Sequence, residues 1–186
     1  MTRATHTDSD APEQDGNARL SIRDREALRK RGLTDVTIEA AGLWSASPEE
    51  VRHILGFNPT NSSGVVIPYR DPFTGVVRLN RVRPDRPPVL NGKTAKYLSP
   101  KGAGNLLFFP PGCAERLKDT HELLYITEGE FKTLALWQAG LLCVGLIGVW
   151  GWRGKSLDGQ SQSISDLDLI TWQGRTVTIV FDSDVA

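Results

Sequence analysis

Leu123-Leu-Tyr-Ile-Thr-Glu-Gly-Glu-Phe-Lys132 and Ile179-Val-Phe-Asp-Ser-Asp-Val-Ala186 are two apolar runs of strand type, each ending abruptly in carboxylates. Glu128 and Glu130 follow the first run, and Asp182 and Asp184 follow the second. The apolar pattern from the first run to the second predicts a strand over 123–127, an amphipathic helix over 130–139 and a strand over 142–147. A short polar helix near 164–169 and a strand over 176–181 complete it. Strand, helix and strand with short connections imply a parallel sheet with right-handed crossovers. Such sheets bind ligands beyond the C-terminal ends of their strands, where these acids fall. Hard carboxylate oxygens suit Mg²⁺, with Mn²⁺ as the alternative. Residues two apart in an extended chain point the same way, so Asp182 and Asp184 can share one ion. A bound cation would also relieve the repulsion between neighbouring carboxylates.

Working outward, the upstream chain is organised differently. Residues 1–18 lack periodic apolar positions and read as a disordered tail. Ser21 and Thr34 are helix caps in the pattern, and Ser47-Pro-Glu-Glu50 is a capping box with proline at the first helical position. Three helices this short bury little alone and are expected to pack on the chain downstream of them. Val65–Tyr69 and Val76–Arg83 flank the turn Asp71-Pro-Phe-Thr-Gly75 and predict a β-hairpin. Further extended pieces are expected over 95–98 and 105–109. The domain reading is therefore a tail over 1–18, a small α+β segment over 19–120 and an α/β part over 121–186.

Composition narrows the function classes. With 22 basic and 22 acidic residues, whole-chain charge carries no message about nucleic acid. Its distribution does: eight basic residues lie between Arg70 and Lys101 against two acids, Asp71 and Asp85. Arg81 and Arg83 alternate onto one strand face, which suits a row of phosphate contacts as well as a solvated face. Tyr97, beside Lys96, can stack on a base or pack. The longest apolar run, 139–150, is broken by glycines and too short to span a bilayer. With no secretory signal and two widely spaced cysteines, Cys113 and Cys143, the expectation is a cytoplasmic protein with reduced thiols and no membrane partner. Gly148-Val-Trp-Gly-Trp-Arg-Gly-Lys-Ser156 is one residue too long for a P-loop and opens no convincing helix; Trp150 and Trp152 are expected to cover the core edge.

Ile126-Thr-Glu-Gly-Glu130, an amphipathic helix, a strand ending near Gly148 and Val177-Thr-Ile-Val-Phe-Asp-Ser-Asp184 together resemble the Toprim domain of primases, topoisomerases and OLD-type nucleases. The resemblance implies an α/β, Toprim-like parallel sheet with flanking helices. It gives Glu128 a role in proton transfer or site organisation, and Asp182 and Asp184, with Glu128, the metal. Glu130 is left with a helix-start role, where negative charge is favoured. Gly64–Asp71, Arg81–Arg83, Lys93–Pro100 and Leu106–Phe109 resemble the segment preceding Toprim in bacterial-type primases, and more closely a family of uncharacterised phage and plasmid Toprim proteins. That implies a basic surface for template and nucleotides, with Arg81, Arg83, Lys96, Tyr97 and Lys132 as contacts.

Two departures stand out. Bacterial primases carry an aspartate at this position; here it is Lys132, as in type IA topoisomerases and several mobile-element Toprim proteins, and a lysine there suits a phosphate contact or an ordinary surface position. A complete Toprim domain also continues beyond the Asp-x-Asp pair, so the expectation is the front part of a longer protein, incomplete at the C-terminus. The functional expectation is primase-like, Mg²⁺-dependent nucleotidyl transfer on single-stranded DNA template and nucleotides, in replication of a phage, plasmid or other mobile element, with a helicase domain or partner. The alternatives are a nuclease using the same metals and a non-catalytic nucleic-acid-binding fragment.

Overall fold

The computed structural model describes residues 20–90, 92–156 and 158–182. The tail expected over 1–18 and the whole of Asp184 fall outside these residues. Helices α1 (Ile22–Arg29) and α2 (Asp35–Ala40) begin where expected, with Ser21 accepting from the Asp24 N–H and Thr34 from the Thr37 N–H. Strand β1 (Trp44–Ala46) follows, then α3 (Pro48–Leu55). The α3 capping box is complete: Ser47 accepts from the Glu50 N–H, and the Glu50 side chain accepts from the Ser47 N–H. Strands β2 (Gly64–Arg70) and β3 (Val77–Pro84) form the expected hairpin, and β1 adds antiparallel to β2, giving the order β1-β2-β3.

A hairpin of β4 (Val89–Leu90) and β5 (Lys93–Thr94) stands before the extended piece expected over 95–98. That piece is reduced to one bridge, Leu98 to Val82, which holds residues 96–98 along the free edge of β3. The strand expected over 105–109 likewise shrinks to a bridge between Phe108 and Gly145. Helix α4 (Ala114–Lys118) leads into β6 (Leu124–Glu128), α5 (Glu130–Gln138) and β7 (Cys143–Leu146). The expected loop after β7 contains another hairpin, β8 (Arg153–Lys155) with β9 (Ser161–Ser163). A 3₁₀ turn over Ser165–Leu169 precedes β10 (Val177–Val180). Strands β10, β6 and β7 form a parallel sheet in that order, as the strand–helix–strand pattern predicted. Among the described residues, no helix is long and apolar enough to cross a membrane.

Alternation sorts the side chains. On one face of the hairpin, Val65, Ile67 and Tyr69 pack with Leu28, Ile38, Phe108, Phe131 and Leu134. The small helices therefore do pack on later chain, and this cluster joins the hairpin to α5. On the opposite face Val66 and Val82 pack against Ala46, Val51, Leu55 and Leu98. A third cluster lies under the parallel sheet, where Leu124, Val144 and Leu146 meet Leu107, Leu117 and Ile170. Each fully buried aliphatic side chain contributes about 1.5–3 kcal/mol relative to exposure.

Two polar features of this core carry predictions. Asp166, 2% exposed, accepts from the Leu107 N–H at 2.8 Å and pairs with Arg78 at 2.7 Å. Asp166→Ala strands that buried donor and is expected to cost about 1–3 kcal/mol, read as a lowered urea midpoint at unchanged m-value. A midpoint equal to wild type would mean the Leu107 amide finds another acceptor. Cys113 and Cys143 are free and buried, and burial pushes both thiols up to about 12. Thiolate is the reactive form, so neither is expected to react with a thiol reagent at pH 8 until the protein is unfolded. Fast labelling of the native protein would contradict this burial.

Candidate active site

The C-terminal ends of β6 and β10 and the start of α5 open onto a cleft of about 560 Å³. In the parallel register Ile126 pairs with Ile179 and Thr127 with Val180, which brings Glu128 and Asp182 to the same end of the sheet. Gly129 makes the strand-to-helix turn at φ +87°, a left-handed conformation that a side chain would strain. This turn leaves Glu128 half-buried at the cleft and delivers Glu130 and Lys132 on the first turn of α5. Glu128 and Asp182 both line the cleft, and so do Lys132, Lys96, Tyr97, Arg81 and Arg31.

Lys132 donates from Nζ to Asp182 Oδ2 at 2.5 Å, and both side chains are substantially exposed, 46% and 69%. An exposed pair of this kind contributes about 0–1 kcal/mol. Its interest is placement: the lysine stands at the same acid that sequence reasoning assigned to a metal. Among the described residues no three acidic, histidine or cysteine side chains cluster as a ready metal cage. Mg²⁺ typically takes only one or two carboxylates from a protein and fills its shell with water and phosphate oxygens. Glu128 and Asp182 supply that number of donors of the right chemistry, so the residues present fit the ion.

The basic wall differs from expectation in one respect. Arg81 does not present an open guanidinium: it is 7% exposed, and its Nη1 donates to Glu130 Oε1 at 2.5 Å. Tyr69 donates its hydroxyl to the same oxygen at 2.7 Å, and Arg81 Nε donates to Ser99 at 3.1 Å. Glu130 is 1% exposed, and its second oxygen, Oε2, is buried without a protein partner. Glu130 does open α5, as expected, and in addition forms a buried ion pair tying α5 to the hairpin. Sequence reasoning missed it because the partners are 49 and 61 residues away. Burial, and then the Glu130 charge, holds the Tyr69 phenol well above its ordinary value. Burial opposes the Arg81 charge, yet the Glu130 carboxylate and Tyr69 outweigh it and the net shift is upward.

Lys96 is exposed at the cleft. Tyr97 packs edge-on to Phe131 at 5.9 Å, with the Arg81 guanidinium 5.6 Å from its ring centre. Burial pushes its phenol above the ordinary value, and the Glu130 charge adds to this. Arg83 lines an adjoining recess of about 100 Å³, where Arg31 and Phe131 continue the cleft wall. Arg31 follows α1 and was not singled out from sequence; a basic residue near a helix C-terminus is too common to be a signal. Other cations of the basic stretch are engaged elsewhere. Arg78 is held by Asp166, and Arg70 donates to the Gly75 carbonyl at 3.0 Å.

A family described as a domain of unknown function (DUF3854) matches residues 115–186. No curated protein is similar to the chain in sequence. In structure it is similar to the Aquifex aeolicus primase comprising zinc-binding and RNA polymerase domains, at 21% identity and a TM-score of 0.57, over 87% of this chain and 43% of that one. It is similar to the DnaG primase catalytic domain bound to ssDNA at 22% identity and a TM-score of 0.55, over 88% of this chain and 55% of that one. The E. coli primase catalytic core matches at 22% identity and a TM-score of 0.52, over 88% of this chain and 66% of that one. The chain therefore spans between 43% and 66% of the length of these structures. Its fold, a parallel β10-β6-β7 sheet flanked by helices, is similar to that of the primase catalytic core.

Proposed function

We propose that the chain carries a primase-like, Mg²⁺-dependent nucleotidyl-transfer site of Toprim type, acting on a single-stranded DNA template and nucleotides. The observation that carries this reading is the cleft itself, which Glu128 and Asp182 line together with Lys96, Tyr97, Lys132 and Arg31. The cleft offers oxygen donors for a metal beside cations for phosphate, the two kinds of group that joining phosphate to a hydroxyl requires. The likeness of the fold to primase catalytic cores supports the same direction.

On this reading Glu128 and Asp182, with Asp184, hold the ion, and Glu128 also organises or accepts the proton of the attacking 3′-hydroxyl. Bound Mg²⁺ would supply Lewis-acid stabilisation of charge at the transferring phosphate. Lys132, held at the cleft by Asp182, contacts a phosphate, and Lys96 and Arg83 position the polyanionic ligands. Tyr97 offers a ring edge to a base. Arg81 acts indirectly, by fixing the basic wall through Glu130. The resemblance of the upstream segment to phage and plasmid proteins supports a role in replication of a phage, plasmid or other mobile element, with a helicase domain or partner opening the duplex.

The test is incubation with a single-stranded template, ribonucleotides and Mg²⁺, resolved on a sequencing gel. Short oligomers that depend on both template and Mg²⁺ are expected. Degradation of DNA without nucleotides would replace the reading with a nuclease. DNA binding with neither activity would leave a non-catalytic binding module.

A further inference from the structure

The proposed nucleotidyl-transfer site draws no side chain from the segment between β7 and β8. That segment contains Trp150, 63% exposed, and Trp152, 37% exposed. Sequence reasoning expected both to cover the core edge. The structure separates them: Trp152 and Val149 line an apolar cavity with Ile179 and Phe181, whereas Trp150 does not line that cavity and projects into solvent. The Arg153 guanidinium lies 4.4 Å from the Trp150 ring centre and 4.6 Å from that of Trp152. Two indoles therefore share one cation, and most of the Trp150 surface stays open.

This exposed ring is held on a tight scaffold. The Gly151 N–H donates to the Gly148 carbonyl at 2.9 Å, and the Arg153 N–H to the Trp150 carbonyl at 3.1 Å. Asn105 Nδ2 donates to the Arg153 carbonyl at 2.8 Å, and the Ile164 N–H to the Trp152 carbonyl at 3.0 Å. A Cβ on Gly151 would sit 2.7 Å from the Ile147 backbone, so the turn cannot be built with a larger residue there. The turn is also next to the candidate site: Gly148 lines the same cleft as Glu128 and Lys132. Trp150 is two residues further on, at most about 7 Å of chain.

We propose that Trp150, backed by Arg153, is a stacking platform for a base of single-stranded nucleic acid leaving the cleft. An exposed indole on a hydrogen-bonded turn, with a guanidinium on it and beside a cleft lined with lysine and arginine, combines the two contacts single strands use: base stacking and backbone charge. Stacking of this kind does not discriminate strongly between bases, and a duplex cannot use it because its bases are already stacked. The inference rests on the nucleic-acid reading of the cleft and extends it by one subsite.

The test is fluorescence anisotropy of a labelled oligo-dT single strand and of a labelled duplex, with Trp150→Ala, Trp150→Phe and Lys96→Ala beside wild type. Trp150→Ala is expected to weaken single-strand binding roughly 5- to 150-fold, the range of one aromatic–base stack. Trp150→Phe, which keeps a ring, should recover most of that loss, and duplex binding should stay within about twofold of wild type because only the unstacked base uses the platform. A thermal melt matching wild type shows that substitution at this exposed position leaves the fold intact. If Lys96→Ala weakens single-strand binding while Trp150→Ala does not, the platform is overturned and the cleft reading stands. If wild type binds no single strand, both fall. Equal losses on single strand and duplex would also overturn the platform.

Discussion

Glu130→Ala is expected to lower folding stability by about 3–5 kcal/mol, the cost of stranding one member of a buried ion pair. Arg81 is 7% exposed, so removal of the carboxylate leaves its guanidinium without a counter-charge and Tyr69 without its acceptor. Against a typical total of about 5–15 kcal/mol, a loss of that size leaves a marginal protein. Glu130→Gln keeps the shape but not the charge and should fall between wild type and Glu130→Ala. The double replacement Glu130→Leu with Arg81→Met removes both charges and is expected to recover part of the loss, since well-packed apolar residues often match a buried pair, although the buried Tyr69 hydroxyl still lacks its acceptor. Urea unfolding of wild type, Glu130→Leu alone, Arg81→Met alone and the double gives the coupling as a double-mutant cycle. Additive losses would mean that Glu130 and Arg81 do not depend on each other. The pair also joins the basic hairpin to the helix that follows Glu128, so weaker template binding should accompany the lost stability.

Glu128→Gln is expected to behave in the opposite way, with template-directed synthesis reduced about 10²–10⁴-fold, the range for loss of a positioned general base. The side chain is half-buried at the end of β6 and the replacement is nearly isosteric, so the stability read from urea unfolding should change by no more than about 0.5 kcal/mol. Single-strand affinity should persist, because the cations of the cleft are supplied by Lys96, Lys132 and Arg31. The separation matters: intact folding and binding with lost turnover assigns Glu128 to chemistry. Turnover within a few fold of wild type would remove Glu128 from the mechanism.

The strand–helix–strand pattern around Glu128 was legible in the sequence because local periodicity and capping decide it. Ser21, Thr34 and Ser47 cap the helices they were expected to cap, and β6, α5, β7 and β10 lie within a residue or two of the expected bounds. The small β8–β9 hairpin and the β4–β5 hairpin were not legible. Their strands are two or three residues long, and exposed segments of that length carry no periodicity. The convergence of Glu128 and Asp182 at one sheet end follows from parallel pairing, a rule that can be applied without coordinates.

What the sequence by itself determined is the order of elements and the identity of the acids beyond two strands, since both depend on residues within a few positions of one another. Only the tertiary structure decided which charges are free to act. Arg81 and Arg83 look equivalent in an alternating strand, yet one is buried on Glu130 and the other lines a small recess beside Asp24 and Asp85. Glu128 and Glu130 look equivalent after one strand, yet one is half-buried at the cleft and the other is buried in its wall, paired with Arg81. Trp150 and Trp152 look equivalent in one loop, yet one stands in solvent and the other closes an apolar cavity. The reason is the same in each case. Whether a charged or aromatic side chain is spent on packing depends on partners tens of residues away, and a linear pattern carries no information about those distances.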